Sequence, residues 1–505
     1  MARRWNSHAA ACRPAAAIGL LLIAVLTSLL AGQGTPAGAE DICCGGRPAY
    51  DSSNTDGQAG SGSGATAYRP GGNGRHVPAP DPLLWRTGYG GWEPTIGVTR
   101  AGTIFYAARN SNVDPEPVRS QDGGKTWVAV KPTAGGVPTH TASLDPYLWV
   151  DTATGRVFDS DLGPTVTCSP VSFTDDEGAS WTYAPECGEV DHQTVFGGPP
   201  PAGGENPSGY PNVVYFCAIS GGEGAGSSTA SACSKSLDGG LTYFPTGDFA
   251  YPPRTSPPGT PLIAPNCDGG NGHGIVDSKG TVFLPRGWCG EPYLAISRDE
   301  GATWTRVRVA DGPLLYFDEE NGAWAHDSSV DEDAAGNLFY FWIGGQDFHP
   351  YLIVSRDGGR SWSRPVDVTP PGVTRTSMPQ LAAGSSGRIA FVFMGTTASA
   401  ATPSEQTTWN GYLVASANAL DKQPTFYAAT VNDPVTNPLW RGDCGEIRCG
   451  NVGDFLDVTI DGGGAAWGAF VDSCPTADNV CTEFTTTTPR GEAIVGRLVG
   501  GPRLR

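Results

Sequence analysis

Acids, histidines and one amide stand at the starts of seven short hairpin-like stretches: Glu93, Asp145, Asp191 with His192, His273, His326 with Asp327, Gln380 and Asp454. Brought together, side chains of these types can hold and pass a proton at a glycosidic oxygen, or hydrogen-bond the hydroxyls of a sugar. The loops after the second strands add Arg109, Asp159, Asp161, Arg286 and Asp472. Arginine is the cation suited to a carboxylate, because its planar fork makes two parallel bonds. A polar ring of this composition is expected to take a small molecule or a glycan. No third ligand converges with His273 and His326 in the pattern, so neither a catalytic metal nor a cofactor is expected.

What must bring these residues together is a repeat. Ser120-Gln-Asp122-Gly-Gly124-Lys-Thr126-Trp127 recurs, with the same Asp, Gly, hydroxyl and aromatic positions, at Thr174–Trp181, Ser236–Tyr243, Ser297–Trp304 and Ser355–Trp362. The starts are 54, 62, 61 and 58 residues apart, which suits one four-stranded propeller blade per repeat. The pattern is that of a tight turn: an Asp to accept backbone N–H bonds, a Gly able to take positive φ, and hydroxyls that bond in the same way. Hairpins are expected at 95–108, 147–161, 193–220, 272–286, 327–343, 380–395 and 455–472, the sixth followed by a degenerate turn at Ser416-Ala-Asn418. The chain is therefore expected to be an all-β propeller of seven four-stranded blades, or of six with one hairpin as decoration. Only one clear strand, 493–499, follows the last hairpin, so closure is expected to borrow a strand from residues 82–87.

The five turns are Asp-boxes, and the chain resembles the secreted bacterial sialidase-like (BNR-repeat) propellers over about residues 92–472. The resemblance implies a glycoside hydrolase, exo-sialidase-like and of open specificity. Phe105-Tyr-Ala-Ala-Arg109-Asn-Ser-Asn-Val-Asp114 ahead of the first box is similar to the family's first repeat. It implies Arg109 as a carboxylate-binding or site-shaping cation and Asp114 as the general acid, with Glu93 or Asp145 stabilising the oxocarbenium-like centre. The family's tyrosine nucleophile with its glutamate is best matched by Tyr316 with Glu319 and Glu320, in a long loop. The sequence departs from the family at Trp92-Glu93-Pro94, where an arginine of the carboxylate clamp should stand. A non-catalytic surface propeller that binds a glycan or protein is the alternative, and it accounts for that departure directly.

Arg3, Arg4 and Arg13 flank the apolar run 15–31, and Ala37-Gly38-Ala39 precedes Glu40, the pattern of a secretory signal over 1–39. Residues 40–82 read as a Gly/Ser/Pro-rich flexible leader, and 83–505 as a single propeller. The whole chain carries 51 acidic and 32 basic groups, net −19; cleavage at 39 leaves 29 basic groups and a net charge of −22. Nucleic acid is thereby disfavoured as a partner. An extracellular glycan or glycoconjugate is the expected partner of a monomer with no membrane span after cleavage. Twelve of the 13 cysteines lie beyond residue 39, in local pairs at 168/187, 217/233, 267/289, 444/449 and 474/481 beside Cys43-Cys44, a disulfide pattern suited to an oxidising compartment.

Overall fold

The computed structural model describes residues 58–59, 65–77, 80–109, 115–139, 143, 145–162, 168–187, 189–202, 204, 206–220, 230–252, 270–288, 290–311, 328–345, 347–398, 406–442, 444, 449–474 and 491–505. The signal segment, Asp114, Tyr316, Glu319, Glu320, His326 and Asp327 lie outside them.

Apart from one short 3-10 turn, Gly450–Val452, the regular structure is all β. Antiparallel meanders of four strands follow one another along the chain. They run Ile96–Val98, Ile104–Arg109, Pro115–Ser120, Val128–Ala129; then Tyr147–Val150, Val157–Ser160, Val171–Thr174, Thr182–Tyr183; then Glu189–Gly198, Val213–Ser220, Ser231–Ser236, Phe244–Pro245. Ile275–Val276, Val282–Trp288, Glu291–Ser297, Thr305–Arg308 come next, then Ser329–Glu332, Leu338–Ile343, Pro350–Ser355, Val366–Asp367, then Arg375–Ala383, Ile389–Thr396, Thr408–Ser416, Phe426–Thr430. The first strand of each meander lies against the first strand of the next, and Asp457–Ile460 returns to Ile96–Val98, so the sheets close on one another as a propeller.

Closure is by a strand far away in sequence. Asp457–Ile460, Ala466–Asp472 and Glu492–Val499 take Asp81–Gly90 as their fourth strand, with Val495 opposite Trp85 and Leu498 opposite Pro82. The expected N-terminal strand is therefore the one that joins the two ends of the ring.

Second strands carry unbroken apolar runs, such as Leu-Phe-Tyr-Phe-Trp-Ile at 338–343, because neighbouring sheets cover both of their faces. Contacts such as Phe341 with Phe391, ring centroids 4.7 Å apart, pack one sheet on the next. Outer strands are short and exposed, as at Val128–Ala129, which limits edge pairing.

The box turns close as their composition requires. Asp122 Oδ1 accepts the Thr126 N–H at 2.9 Å, its Oδ2 accepts the Thr126 hydroxyl at 2.6 Å, and Ser120 Oγ accepts the Gly124 N–H at 2.8 Å. The same bonds recur around Asp176, Asp238, Asp299 and Asp357. Hydrogen bonds from the Ser180 hydroxyl and backbone hold the Asp176 carboxyl down to about 2.

The glycine has a second duty, since each box seats against the preceding sheet. Gly240 has φ +95°, and a Cβ there would lie 2.6 Å from the Phe158 ring. Gly240→Ala is expected to destabilise by about 1–3 kcal/mol, through a strained φ and overpacking together, measured as a lower urea midpoint.

Part of the stretch read as a flexible leader is structured. Ala65–Tyr68 and Arg75–Val77 form a hairpin that adds to the outer edge of Phe426–Thr430, and Gln58–Ala59 pairs with Asp81–Gly90. Periodicity could not reveal four residues that gain their order from an existing edge. Tyr68 anchors them, buried and donating to the Val368 carbonyl at 2.6 Å.

Cys217–Cys233 and Cys444–Cys449 are disulfides as paired in the sequence, and Cys168 and Cys474 are disulfide-bonded too. The bonds fit an extracellular protein. Among the described residues no helix is long and apolar enough to cross a membrane.

Candidate functional site

The starts of the inner strands do not simply run in; several are kinked. Glu93, His192 and Met378 hold φ of +45°, +47° and +57°, and Gly453 has φ +103°. Non-glycine residues in this region are uncommon and strained, and such positions tend to cluster at functional sites. At His192 and Met378 the kink coincides with a register shift in the strand pair, between Asp191 and Thr194 and between Ser377 and Gln380.

The kinks gather a cluster at the channel mouth. Asp191 and Asp145 bring their carboxyl groups close together. Burial raises the Asp191 pKa, the Asp145 charge adds to the rise, and neighbouring His192 opposes it. Asp191 also accepts the His192 N–H at 3.0 Å, and His192 Nε2 stands 3.9 Å from Asp454 Oδ2. Gln193 donates through Nε2 to the Asp145 carbonyl, while its Oε1 is buried with no hydrogen-bond partner among the described residues. An acceptor of this kind is suited to a ligand hydroxyl.

Below the mouth the channel is filled. Gln380 Nε2 bonds His273 Nδ1, His273 lies 3.6 Å from Asp457 Oδ1, and the Tyr147 ring meets the imidazole edge-on at 4.7 Å. Burial, with His192 adding, pushes His273 down to about 3, so its imidazole is neutral and Nδ1 is free to accept from the amide. Asp457 accepts the N–H groups of Ile96 at 2.9 Å and Val458 at 2.8 Å, tying the last and first sheets together. On the far side of this plug a cavity of about 200 Å³ runs between the inner strands, with Arg505 and Asp331 at its lining.

Burial lifts the Asp457 carboxyl to about 7 against those bonds, while an unfolded carboxylate titrates near ~3.9. Between these values the folded state keeps a proton that the unfolded chain has lost. The resulting stabilisation is complete below pH ~4 and is lost as pH rises through about 7. Asp457→Asn is expected to flatten that decline, read as urea midpoints at pH 4.5, 6 and 8.

Two sequence-derived candidates are corrected by their surroundings. Glu93 is 1% exposed, accepts the Asp454 N–H at 3.1 Å and donates its own N–H to the Val452 carbonyl at 3.0 Å. It braces the kinked turn at Gly453 and does not face a ligand. Arg286 is 0% exposed, donates to Ser231 Oγ at 2.6 Å and lies over the Tyr251 ring, so it is a core cation and not a clamp for substrate. Asp472 is spent on Arg86, at 2.7 Å, and Asp159 and Asp161 are buried. Trp92, at the position where the resemblance asks for an arginine, is itself buried. Arg109 ends its strand opposite Pro115 and Gly90.

Sequence reasoning missed Gln193, Asp457 and Tyr147. Tyr147 lies two residues past Asp145, the spacing that keeps a strand side chain on the same face, while Asp457 lies three past Asp454, an offset that strand alternation does not announce.

No family model matches the chain, and no curated protein matches it. Among solved structures it is similar to a protein of unknown function from Dyadobacter fermentans (14% identity, 85% of this chain and 99% of that one, TM-score 0.40). It is also similar to the Aleuria aurantia fucose lectin, described as a six-bladed β-propeller (10%, 70% and 98%, TM-score 0.40), and to the NanB sialidase of Streptococcus pneumoniae (12%, 81% and 68%, TM-score 0.39). At such identities and scores, no residue role or activity is carried across from them.

Proposed function

We propose that the chain engages an extracellular glycan at the channel mouth and hydrolyses it, with Asp145 and Asp191 together as the acid that protonates the leaving oxygen. The observation that carries this reading is the neighbouring carboxyls of Asp145 and Asp191 beside His192, with the buried, unpartnered acceptor of Gln193 next to them. On this reading the two neighbouring carboxyls serve as a single acid, and not as the separated acid and nucleophile or acid and base of glycosidase pairs, which stand ~5 Å or ~6.5–9.5 Å apart. The second carboxylate must stand apart, and Asp454, oriented by His192, is the candidate. An acidic mouth suits a sugar without a carboxylate at the reacting position, which turns the reading away from sialosides. Asp114, Arg109 and the Tyr316–Glu319 pair are the rival assignments that the family resemblance implies, and His326 with Asp327 are further binding candidates from their place at an inner-strand start. Release of reducing ends from a broad glycan panel, sialosides included, distinguishes them: Asp191→Asn abolishes turnover on this reading, whereas Asp114→Asn does so on the rival one.

The second reading is a non-catalytic glycan binder, favoured by buried Trp92 and by the plugged channel. Glycan binding by the wild type without turnover of any bound glycan would select it. The blade count belongs with these proposals: we read seven, supported by the cyclic contacts of the innermost strands, and class averages from electron microscopy viewed along the axis test it. Secretion through cleavage after Ala39 is likewise tested by N-terminal sequencing of the released protein, which should begin at Glu40.

A further inference from the structure

A cavity of about 670 Å³ lies away from the channel, on the outer rim on the side of the box turns. Three turns from distant parts of the chain build it. One is the tip of the added hairpin at Arg69–Gly72, one is the box turn and following segment from Arg356 to Val366, and one is the degenerate box from Ala419 to Pro424. That last turn keeps its form through Asn418, whose Oδ1 accepts the Thr425 N–H at 2.9 Å and whose amide donates to Asp421 Oδ2 at 2.9 Å. The volume falls within the ~300–1,000 Å³ of small-ligand sites.

Its charge runs against the rest of the molecule. In a chain of net −19, the lining carries Arg69, Arg356, Arg364 and Lys422, all exposed, and one carboxylate, Asp421, already bonded to Asn418. Arg69 donates to Gln423 at 3.0 Å and Arg356 to the Leu420 carbonyl at 3.3 Å. Among the described residues none of the four cations has a carboxylate partner. At physiological ionic strength charges interact over about 8 Å, so a ligand in the groove meets these cations and not the distant acidic surface. The floor, with Leu352, Val354, Leu420 and half-buried Trp362, is apolar enough to take the faces of sugar rings.

We propose that this groove is a second glycan site, which binds a polyanionic saccharide through sulfate or carboxylate groups. Arginine recognises both groups through paired hydrogen bonds. A saccharide is favoured over an acidic peptide because the bordering sheet edge is already covered: Ala65–Tyr68 occupies the outer edge of Phe426–Thr430, and Val366–Asp367 is only two residues long. An extended peptide therefore has no strand to add to.

The test uses the full chain with a sulfated hexasaccharide, a galacturonate hexasaccharide, a neutral maltohexaose and an Asp/Glu heptapeptide, each titrated by calorimetry at 50 and 150 mM salt. At least one anionic saccharide binds, more tightly at low salt, and the neutral one does not; which of the two binds tells sulfate from carboxylate. The exposed double variant Arg364→Glu/Lys422→Glu lowers that affinity at least tenfold with an unchanged urea midpoint, and Arg69→Ala lowers it less. Binding that survives the double variant, absence of binding to both anionic saccharides, or tighter binding of the acidic peptide overturns the proposal. Asp191→Asn leaves this binding unchanged, which keeps its fate separate from that of the channel mouth.

Discussion

Arg86→Ala is expected to cost about 3–5 kcal/mol of stability, the largest effect of any single surface-reaching substitution in the protein. Arg86 stands on the closing strand and bonds Asp472 at 2.7 Å and Glu492 at closer range. The two carboxylates are 0% and 5% exposed, on the other two strands of the same sheet edge, and Asn437 adds a bond to Asp472 at 3.2 Å. Burial raises the Glu492 pKa, and Arg86 is the first group that opposes it. Removing the guanidinium leaves two buried charges facing each other, which is far worse than never having had the pair. The same argument fixes the pH dependence. Without Arg86 the carboxyls take up protons more readily in the folded state, so the deficit of the variant shrinks as pH falls from 8 to 5. Arg86→Lys recovers only part of the loss, since an ammonium lacks the planar fork whose separate nitrogens reach the two carboxylates. Urea unfolding of the three proteins at both pH values measures it; equal midpoints for Arg86→Ala and wild type would falsify the view that this triad locks the ring.

Hairpins, box turns and the closing strand were legible in the sequence because each is a local pattern or follows from an unpaired end. Asp122 and its counterparts bond residues within four positions, and a turn of that kind is written in its own composition. The rest depends on partners that no local pattern announces. Arg86 meets Asp472 and Glu492 across 386 and 406 residues. The hairpin at 65–77 takes its order from Phe426–Thr430, so in isolation it reads as a linker. Of the expected polar ring, several members are more buried than a ligand site requires. Inner-strand starts lie at the channel, yet kinks at Glu93 and His192 decide which side chain looks outward, and left-handed backbone at a glutamate or histidine has no sequence signature. Hence Glu93 turns inward to hold Asp454, while Asp145 and Asp191 meet.

Asp191→Asn is expected to lower glycan cleavage by about 10²–10⁴-fold, the range lost when a positioned general acid is removed. An amide keeps the size and one acceptor but can neither hold nor release an acidic proton. Asp145→Asn should fall as far, and the double variant little further, because two residues that act as one acid are not additive. His192→Gln, which removes the imidazole beside both Asp454 and Asp191, should lower turnover less and shift its pH profile upward, since His192 opposes the rise of the Asp191 pKa. Binding of the intact glycan should survive in Asp191→Asn, since hydroxyl contacts such as that offered by Gln193 Oε1 remain.

The most direct measurement is reducing-end release from a panel of neutral and acidic glycans between pH 4 and 8, run in parallel on the wild type and Asp191→Asn. The account predicts release by the wild type that falls as pH rises through the raised range of the buried Asp191 carboxyl, about 6, and near-silence from the variant. Equal release by both proteins, or release confined to sialosides and abolished by Asp114→Asn instead, would contradict it.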